Sequence, residues 1–151
     1  NTKLMYDKMV EMGLVPEEIK EQLEKNVLVH DQSKYSPEEF DAYRRRFYPV
    51  DEKEKNESKR AFTLAWDHHK KFNPHHWECP RWYDPVRKEV ISEMDPVYVY
   101  EMVIDWQAMG IKFGNTCLEF FTKAGKSIKL GPKTRELALK IMKELVKGYQ
   151  S

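Results

Sequence analysis

The stretch PEEIKEQLEKNVLVHD, residues 16–31, decides the fold class of this chain. Pro16 suits the first turn of a helix, where its missing N–H costs nothing. Apolar side chains then recur with the spacing of one helical face, at Ile19, Leu23 and Val27. Three or four residues further along this stripe lie His30 and Asp31. The stretch therefore predicts an amphipathic helix whose buried face ends in a histidine and an aspartate.

The other long segments show the same helical periodicity, and strand-like alternation is almost absent. Further helices are predicted from about Leu4 to Gly13, from Ser36 to Phe47, from Glu52 to Phe72, from Pro96 to Gly110 and from Thr134 onward. Ser36 and Glu39 have the form of a capping box. A short helical turn is predicted after Asn73-Pro74, and an ordered loop over residues 79–95. The sequence thus predicts one all-α domain spanning residues 1–151.

Composition narrows the functional classes. Lys and Arg number 26 against 25 Asp and Glu, so the net charge of +1 disfavours a nucleic-acid-binding domain. No apolar run approaches the roughly 20 residues that span a bilayer, so no membrane partner is expected. Cys79 and Cys117 form no CxxC pair, which favours a reducing, cytoplasmic location over a disulfide framework.

Five histidines lie in only two segments, and this pattern indicates a metal site. One follows the predicted second helix, and four belong to DHHKKFNPHHWE, residues 67–78. Imidazole and carboxylate groups from several helices can share one or two divalent transition ions, such as Mn, Fe, Ni or Zn. The predicted ligands are His30, Asp31, His68, His69, His75, His76 and Asp105. Glu101, one turn before Asp105, is placed to orient a ligand. The alternative is a set of hydrogen-bonded core histidines, and helical geometry leaves either member of each pair open as the ligand.

The motif HDQSK, residues 30–34, resembles the His-Asp-x-x-Lys signature of the HD superfamily of metal-dependent phosphohydrolases. The order of the later histidines and of Asp105 is similar to that of the superfamily's dinuclear branch. A closer resemblance is to an uncharacterised family of bacterial and phage proteins that carry HDxSK, SPEEF, HHxxxNxHH and EMxxDW. The matching segments here are residues 30–34, 36–40, 68–76 and 101–106, and the resemblance covers about residues 1–110.

The resemblance implies an HD-like helical bundle that hydrolyses a phosphomonoester or phosphodiester with a metal-activated water, and a nucleotide is the expected substrate. Lys34 corresponds to the family lysine that faces substrate phosphate. Glu78 is a candidate acid or base, although a solvated carboxylate is an equal interpretation. One departure is that no histidine precedes His30. The first-helix ligand of HD proteins is expected either to precede Asn1 or to be absent.

Two other functional classes stay open from the sequence. The first is a non-catalytic helical protein that binds a metal or ligand through the same cluster. The second is a nucleic-acid-binding phage protein, against which the charge balance counts. Aromatic residues near the histidines could stack on a base but are interpreted as core, namely Trp77, Trp82, Tyr83 and Trp106. The expected partner is a small phosphorylated substrate, and the oligomeric state is left open.

Overall fold

The computed structural model describes residues 2–30 and 32–150, which form a helical domain with one very short β-hairpin. The α-helices of this described part are α1 (Thr2–Glu11), α2 (Glu17–Leu28), α3 (Phe40–Phe47), α4 (Glu52–Phe72), α5 (Pro96–Phe113), α6 (Cys117–Ala124) and α7 (Pro132–Gln150). A 3-10 helix covers Gln32–Tyr35, and strands β1 (Tyr83–Asp84) and β2 (Glu89–Val90) pair antiparallel. The all-α prediction is confirmed. No described helix combines the length and the apolar surface that crossing a lipid bilayer requires.

Helix α5 is the centre of the fold and contacts α1, α2, α6 and α7. Its side chains without exposed surface include Val99, Val103 and Ile104. Leu23 of α2 and Leu145 of α7 are equally buried. Burying a side chain of this size contributes about 1.5–3 kcal/mol, so these contacts hold the surrounding helices on α5. They also fix the position of its two acidic residues, Glu101 and Asp105.

Helix α2 ends just before His30, one of the predicted metal ligands, as the sequence predicts. The turn after α1 passes through Gly13, whose φ of +72° lies in the left-handed region. Helix α2 then buries Leu23 and Val27 and ends at Leu28. Two residues later the side chain of His30 is only 7% exposed. The apolar face of α2 therefore continues into a buried histidine.

Helices α3 and α4 form a hairpin outside the main apolar core. The fully buried side chains of the apolar core come from residues 5–27 and 79–145, and of the described residues between these ranges only Trp77 packs against that core. The two helices pack on each other, where Phe62 meets the rings of Tyr43 and Phe47 edge to face at 5.5 Å. The side chains that α4 buries are Ser58, Ala65 and His69. The hairpin thus adjoins the rest of the molecule at the histidine-rich end of α4.

The predicted end of helix α5 at Gly110 is wrong. The helix continues to Phe113, and the residue in the left-handed region is Gly114, with φ of +78°. At Gly110 an added Cβ would fall 2.5 Å from the backbone oxygen of Asn115, and Asn115 N donates to Gly110 O at 2.8 Å. Gly110 therefore permits a close backbone approach inside the helix, and Gly114 ends it.

Other details also differ from the prediction, and helix α1 covers Thr2–Glu11 instead of Leu4 to Gly13. Helix α3 begins at Phe40 after a turn, rather than directly after Ser36. The segment after Asn73 forms consecutive turns instead of a short helical turn. Helix α7 begins at Pro132, two residues before the predicted Thr134, a difference that is usual for helix ends.

Candidate metal centre

Three segments that are distant in sequence bring His30, His75 and Asp105 together. His30 follows α2, His75 lies in the turns after α4, and Asp105 belongs to α5. One ligand atom from each residue lies within 4.8 Å of the other two. The Nε2 atoms of His30 and His75 lie 3.3 and 3.8 Å from the carboxylate oxygens of Asp105. Two imidazole nitrogens and one carboxylate oxygen are a donor set that suits a divalent transition metal.

Glu101 contacts both histidines at their other ring nitrogen. Its Oε2 lies 2.8 Å from Nδ1 of His30 and 2.8 Å from Nδ1 of His75. Burial would raise the pKa of Glu101, but the hydrogen bonds from His30 and His75 outweigh it and lower the pKa to about 2. The ionised carboxylate only accepts hydrogen bonds, so both Nδ1 atoms donate. In the neutral rings the lone pairs then reside on Nε2, the atoms that approach Asp105.

A second cluster forms around Glu39, a residue whose sequence pattern predicts a capping box and not a site. Its side chain is 0% exposed and meets Nδ1 of His68 with Oε2 and Nδ1 of His69 with Oε1, the latter at 2.9 Å. Asn73 at the end of α4 donates from Nδ2 to the backbone oxygen of His69 at 2.8 Å. The Glu39 carboxylate, from the turn before α3, therefore stabilises the position of the C-terminal end of α4.

The two histidines of α4 differ in environment. His69 is 1% exposed, while the side chain of His68 is 25% exposed. Phe72 follows Ala65 by seven residues, a spacing that predicts the same buried helical face, yet Phe72 is 58% exposed and packs on the ring of His68 at 4.5 Å. The prediction for Phe72 is wrong, because Phe72 is the last residue of α4 and its ring lies on His68 rather than in the core.

His76 links the two clusters by ring contacts. Its centroid lies 4.3 Å from that of His75 and 4.8 Å from that of His69. Trp66 stacks on His69 at 5.6 Å and meets His76 edge to face at 5.3 Å. Since His30 also contacts His75 at 4.3 Å, ring contacts link His30, His75, His76 and His69 in one continuous row, and His68 adjoins this row through Glu39.

The structure divides the seven predicted ligands. His30, His75 and Asp105 share one site, whereas His68 and His69 face Glu39, and His76 lies between them. Asp31 lies outside the described residues. The binding of a metal itself stays a prediction.

Glu78 lies beside the candidate centre, where it lines a cavity of about 300 Å³ together with His75 and Asp105. Burial raises the pKa of Glu78, and Lys70 lowers it to a smaller extent. The ammonium of Lys70 is 3.9 Å from Glu78 Oε2, which is longer than a hydrogen bond. The other predicted catalytic residue, Lys34, has a side chain outside the described part of the structure.

The aromatic residues near the histidines have different positions. Trp82 is core, with 8% exposure and an indole N–H that donates to Pro74 O at 2.8 Å. Trp77 and Trp106 pack against the core and also line the cavity beside Glu78. Tyr83 packs edge to face on Trp77 at 5.0 Å. The prediction that these aromatic residues belong to the core is therefore confirmed in full only for Trp82.

Comparison with known families gives one further finding. A family model described as "Family of unknown function (DUF5662)" matches residues 9–145. This range includes both clusters and the cavity. No curated protein and no solved structure matches the chain.

Proposed function

We propose that this chain, which belongs to the DUF5662 family of unknown function, is a metal-dependent phosphohydrolase. Its expected substrate is a phosphomonoester or phosphodiester of a small compound such as a nucleotide. The observation that carries the proposal is the shared contact of His30 and His75 with Glu101. That contact directs the Nε2 atom of each ring toward Asp105, which is the arrangement that metal-binding histidines require.

The donor set supports one divalent ion at His30, His75 and Asp105, with Mn, Fe, Ni or Zn as candidates. A second ion would need donors from the His68, His69 and His76 row and from Asp31. Three protein ligands at one ion leave coordination positions for water and substrate, as in catalytic rather than structural sites. A bound ion would lower the pKa of a coordinated water and withdraw charge from phosphoryl oxygens.

The side chains of the chain have separate tasks in this proposal. Glu101 holds the two imidazole rings, and Asp105 supplies the anionic donor. Glu78 lies in the cavity wall beside the centre, where burial raises its pKa, and it is the candidate acid or base that contacts the bound substrate. Lys34 is assigned to substrate phosphate, a role that an ammonium can fill as a point charge.

The alternative is a non-catalytic protein in which the cluster holds the hairpin to the bundle. The buried contact of Glu39 with His68 and His69 has this structural character. The cavity beside Asp105 favours catalysis, since a purely structural site needs no adjoining space for a ligand.

The test begins with metal analysis of the purified full-length protein. A panel of phosphomonoesters and phosphodiesters is then assayed with added Mn, Fe, Ni or Zn. Asp31→Ala and Asp105→Asn are expected to lose both metal and turnover, while Asp67→Asn, an exposed change on α4, keeps both. Absence of bound metal together with absence of activity in the whole panel would refute the proposal.

A further inference from the structure

The cavity beside Asp105 has mostly aromatic walls. Four of its lining side chains are Trp66, Trp77, Trp106 and Phe120. Trp66 belongs to α4 of the hairpin, whereas Trp106 of α5 and Phe120 of α6 pack together at 5.4 Å on the side of the bundle. The cavity therefore lies between the hairpin and the bundle, with aromatic side chains contributed by both.

The size and the lining of this cavity indicate which class of ligand it can hold. Its volume of about 300 Å³ is at the lower end of small-molecule sites, about 300–1,000 Å³. That space suits one nucleoside-sized group and not a polymer chain. Aromatic faces stack on flat rings, and such stacking tolerates different ring identities. The cavity is therefore suited to a single flat ring system.

Glu78 adds a polar requirement. Its carboxylate lies in the cavity wall, and its ion pair with Lys70 is loose, at 3.9 Å. A carboxylate side chain accepts hydrogen bonds, and its two oxygens match neighbouring N–H groups on a ring edge. A ring that carries N–H donors would therefore hydrogen-bond to the Glu78 carboxylate better than a ring that carries only acceptors.

We propose that this cavity binds the non-phosphate part of the substrate as a flat heterocyclic ring whose N–H donors face Glu78. The placement rests on the proposed function, because His75 and Asp105 belong both to the cavity wall and to the candidate metal centre. The substrate is then a single nucleotide whose base carries N–H donors, rather than a ringless phosphoester or a polynucleotide.

Ring binding is measured without phosphate and without metal. Full-length protein treated with a chelator is titrated with guanosine, caffeine and ribose, and tryptophan fluorescence is recorded. Guanosine has a flat ring with N–H donors, caffeine has a flat ring without them, and ribose has no flat ring. Guanosine is expected to quench strongly, caffeine to bind about 10-fold more weakly, and ribose to give no change.

Variants assign the response to the cavity. Trp106→Leu and Phe120→Leu are expected to weaken guanosine and caffeine binding about 10-fold each, through lost stacking. Glu78→Gln is expected to weaken guanosine alone, toward the affinity of caffeine. Leu64→Ala, an exposed change on α4, is the control and leaves both affinities unchanged. Phe120 is 38% exposed, so its variant keeps the test valid if Trp106→Leu fails to fold.

The result separates this inference from the proposed function. Hydrolysis of glycerol 2-phosphate, which has no ring, reports on the metal centre alone. Turnover of that ester with no guanosine binding would overturn the ring site and leave the phosphohydrolase proposal standing. Guanosine binding that depends on Trp106 or Phe120, without metal or turnover, would support the ring site and refute the hydrolase. Equal guanosine affinity in every variant would also overturn the ring site.

Discussion

His30 Nδ1 lies 2.8 Å from Glu101 Oε2, although 71 positions separate the two residues along the chain. The same oxygen accepts from His75, so one carboxylate orients two predicted ligands. Glu101→Gln removes the charge and lets the amide nitrogen compete for the same position. We expect metal affinity to fall about 10- to 100-fold, as for other groups that orient metal-binding histidines.

Competition with a metal chelator measures this loss. The control is Glu136→Gln, which removes the same charge at an exposed position of α7, a helix that contributes no residue to the candidate centre. An affinity of the Glu101 variant within twofold of that of the Glu136 variant would contradict the orienting role of Glu101.

Glu93 is expected to stabilise the start of helix α7 in a pH-dependent way. Its carboxylate accepts hydrogen bonds from the backbone N–H groups of Lys133 at 3.2 Å and Thr134 at 2.8 Å. Burial would raise the pKa of Glu93, but these bonds and that from the Thr134 hydroxyl lower it below its ordinary value of 4.5. The folded-state pKa is thus the lower one. The stabilisation that the Glu93 carboxylate provides is therefore present above pH 4.5 and is lost as the pH falls through the folded-state pKa.

Glu93→Gln should therefore lower the free energy of unfolding by about 0.5 kcal/mol at pH 7, a value reduced by solvent screening. The difference from the unmodified protein should shrink at pH 3. Urea unfolding at both pH values measures it, with the exposed change Glu89→Gln as control. A difference that stays constant between pH 7 and pH 3 would show that the charge of Glu93 has no part in the cap.

Gly131 and Glu93 should act as one unit. A Cβ added at Gly131 would overlap the carboxylate of Glu93. Gly131→Ala is therefore expected to displace that carboxylate and to cost about 1 kcal/mol in unfolding free energy. If Glu93→Gln is already present, the added cost should be smaller, since the cap is already weakened. Additive costs in the double variant, from urea unfolding, would contradict this coupling.

The helices that the sequence predicts are those with strong local signals. Helix α2 has a proline directly before its first residue and a regular apolar stripe, and α5 starts at Asp95-Pro96. Helix α6 had no prediction, because its eight residues give a short pattern after a stretch without clear periodicity. Its Thr116 side chain accepts from Glu119 N at 3.1 Å, so a capping signal was present. The end of α5 was wrongly predicted at Gly110, because a glycine that ends a helix and a glycine that permits close packing cannot be distinguished from the sequence.

The candidate site was predictable in its chemistry and not in its grouping. The sequence pattern selected all five histidines together with Asp105 and Glu101. It did not separate His30 and His75, which share a site with Asp105, from His68 and His69, which face Glu39. Glu39 was missed because the pattern of residues 36–39 is satisfied by a capping box. Its carboxylate is instead buried against α4, where it contacts His68 and His69. These residues lie 29 and 30 positions further along the chain, so no local sequence pattern indicates the contact.

The buried position of Glu39 leads to a stability prediction. Glu39→Ala removes the acceptor that meets both His68 and His69, so we expect unfolding to become easier by about 2 kcal/mol. Glu38→Ala is a matched control, because Glu38 is the neighbouring residue and its side chain is exposed. Urea unfolding followed by circular dichroism gives both values. Equal stability of the two variants would show that Glu39 contributes nothing beyond its surface neighbour.

Removal and return of metal provide the last prediction. An ion that binds the folded chain and not the unfolded one should stabilise it by about 2.7 kcal/mol at 100 times its dissociation constant. Adding Mn or Zn to chelator-treated protein is therefore expected to raise Tm, and Asp105→Asn should abolish that rise. Asp67→Asn, exposed on α4, should keep it. An unchanged rise in Asp105→Asn would move the binding site away from His30 and His75, with the row of His68, His69 and His76 as the next place to test. Loss of the rise in Asp105→Asn alone would tie metal binding to the carboxylate that both Nε2 atoms approach.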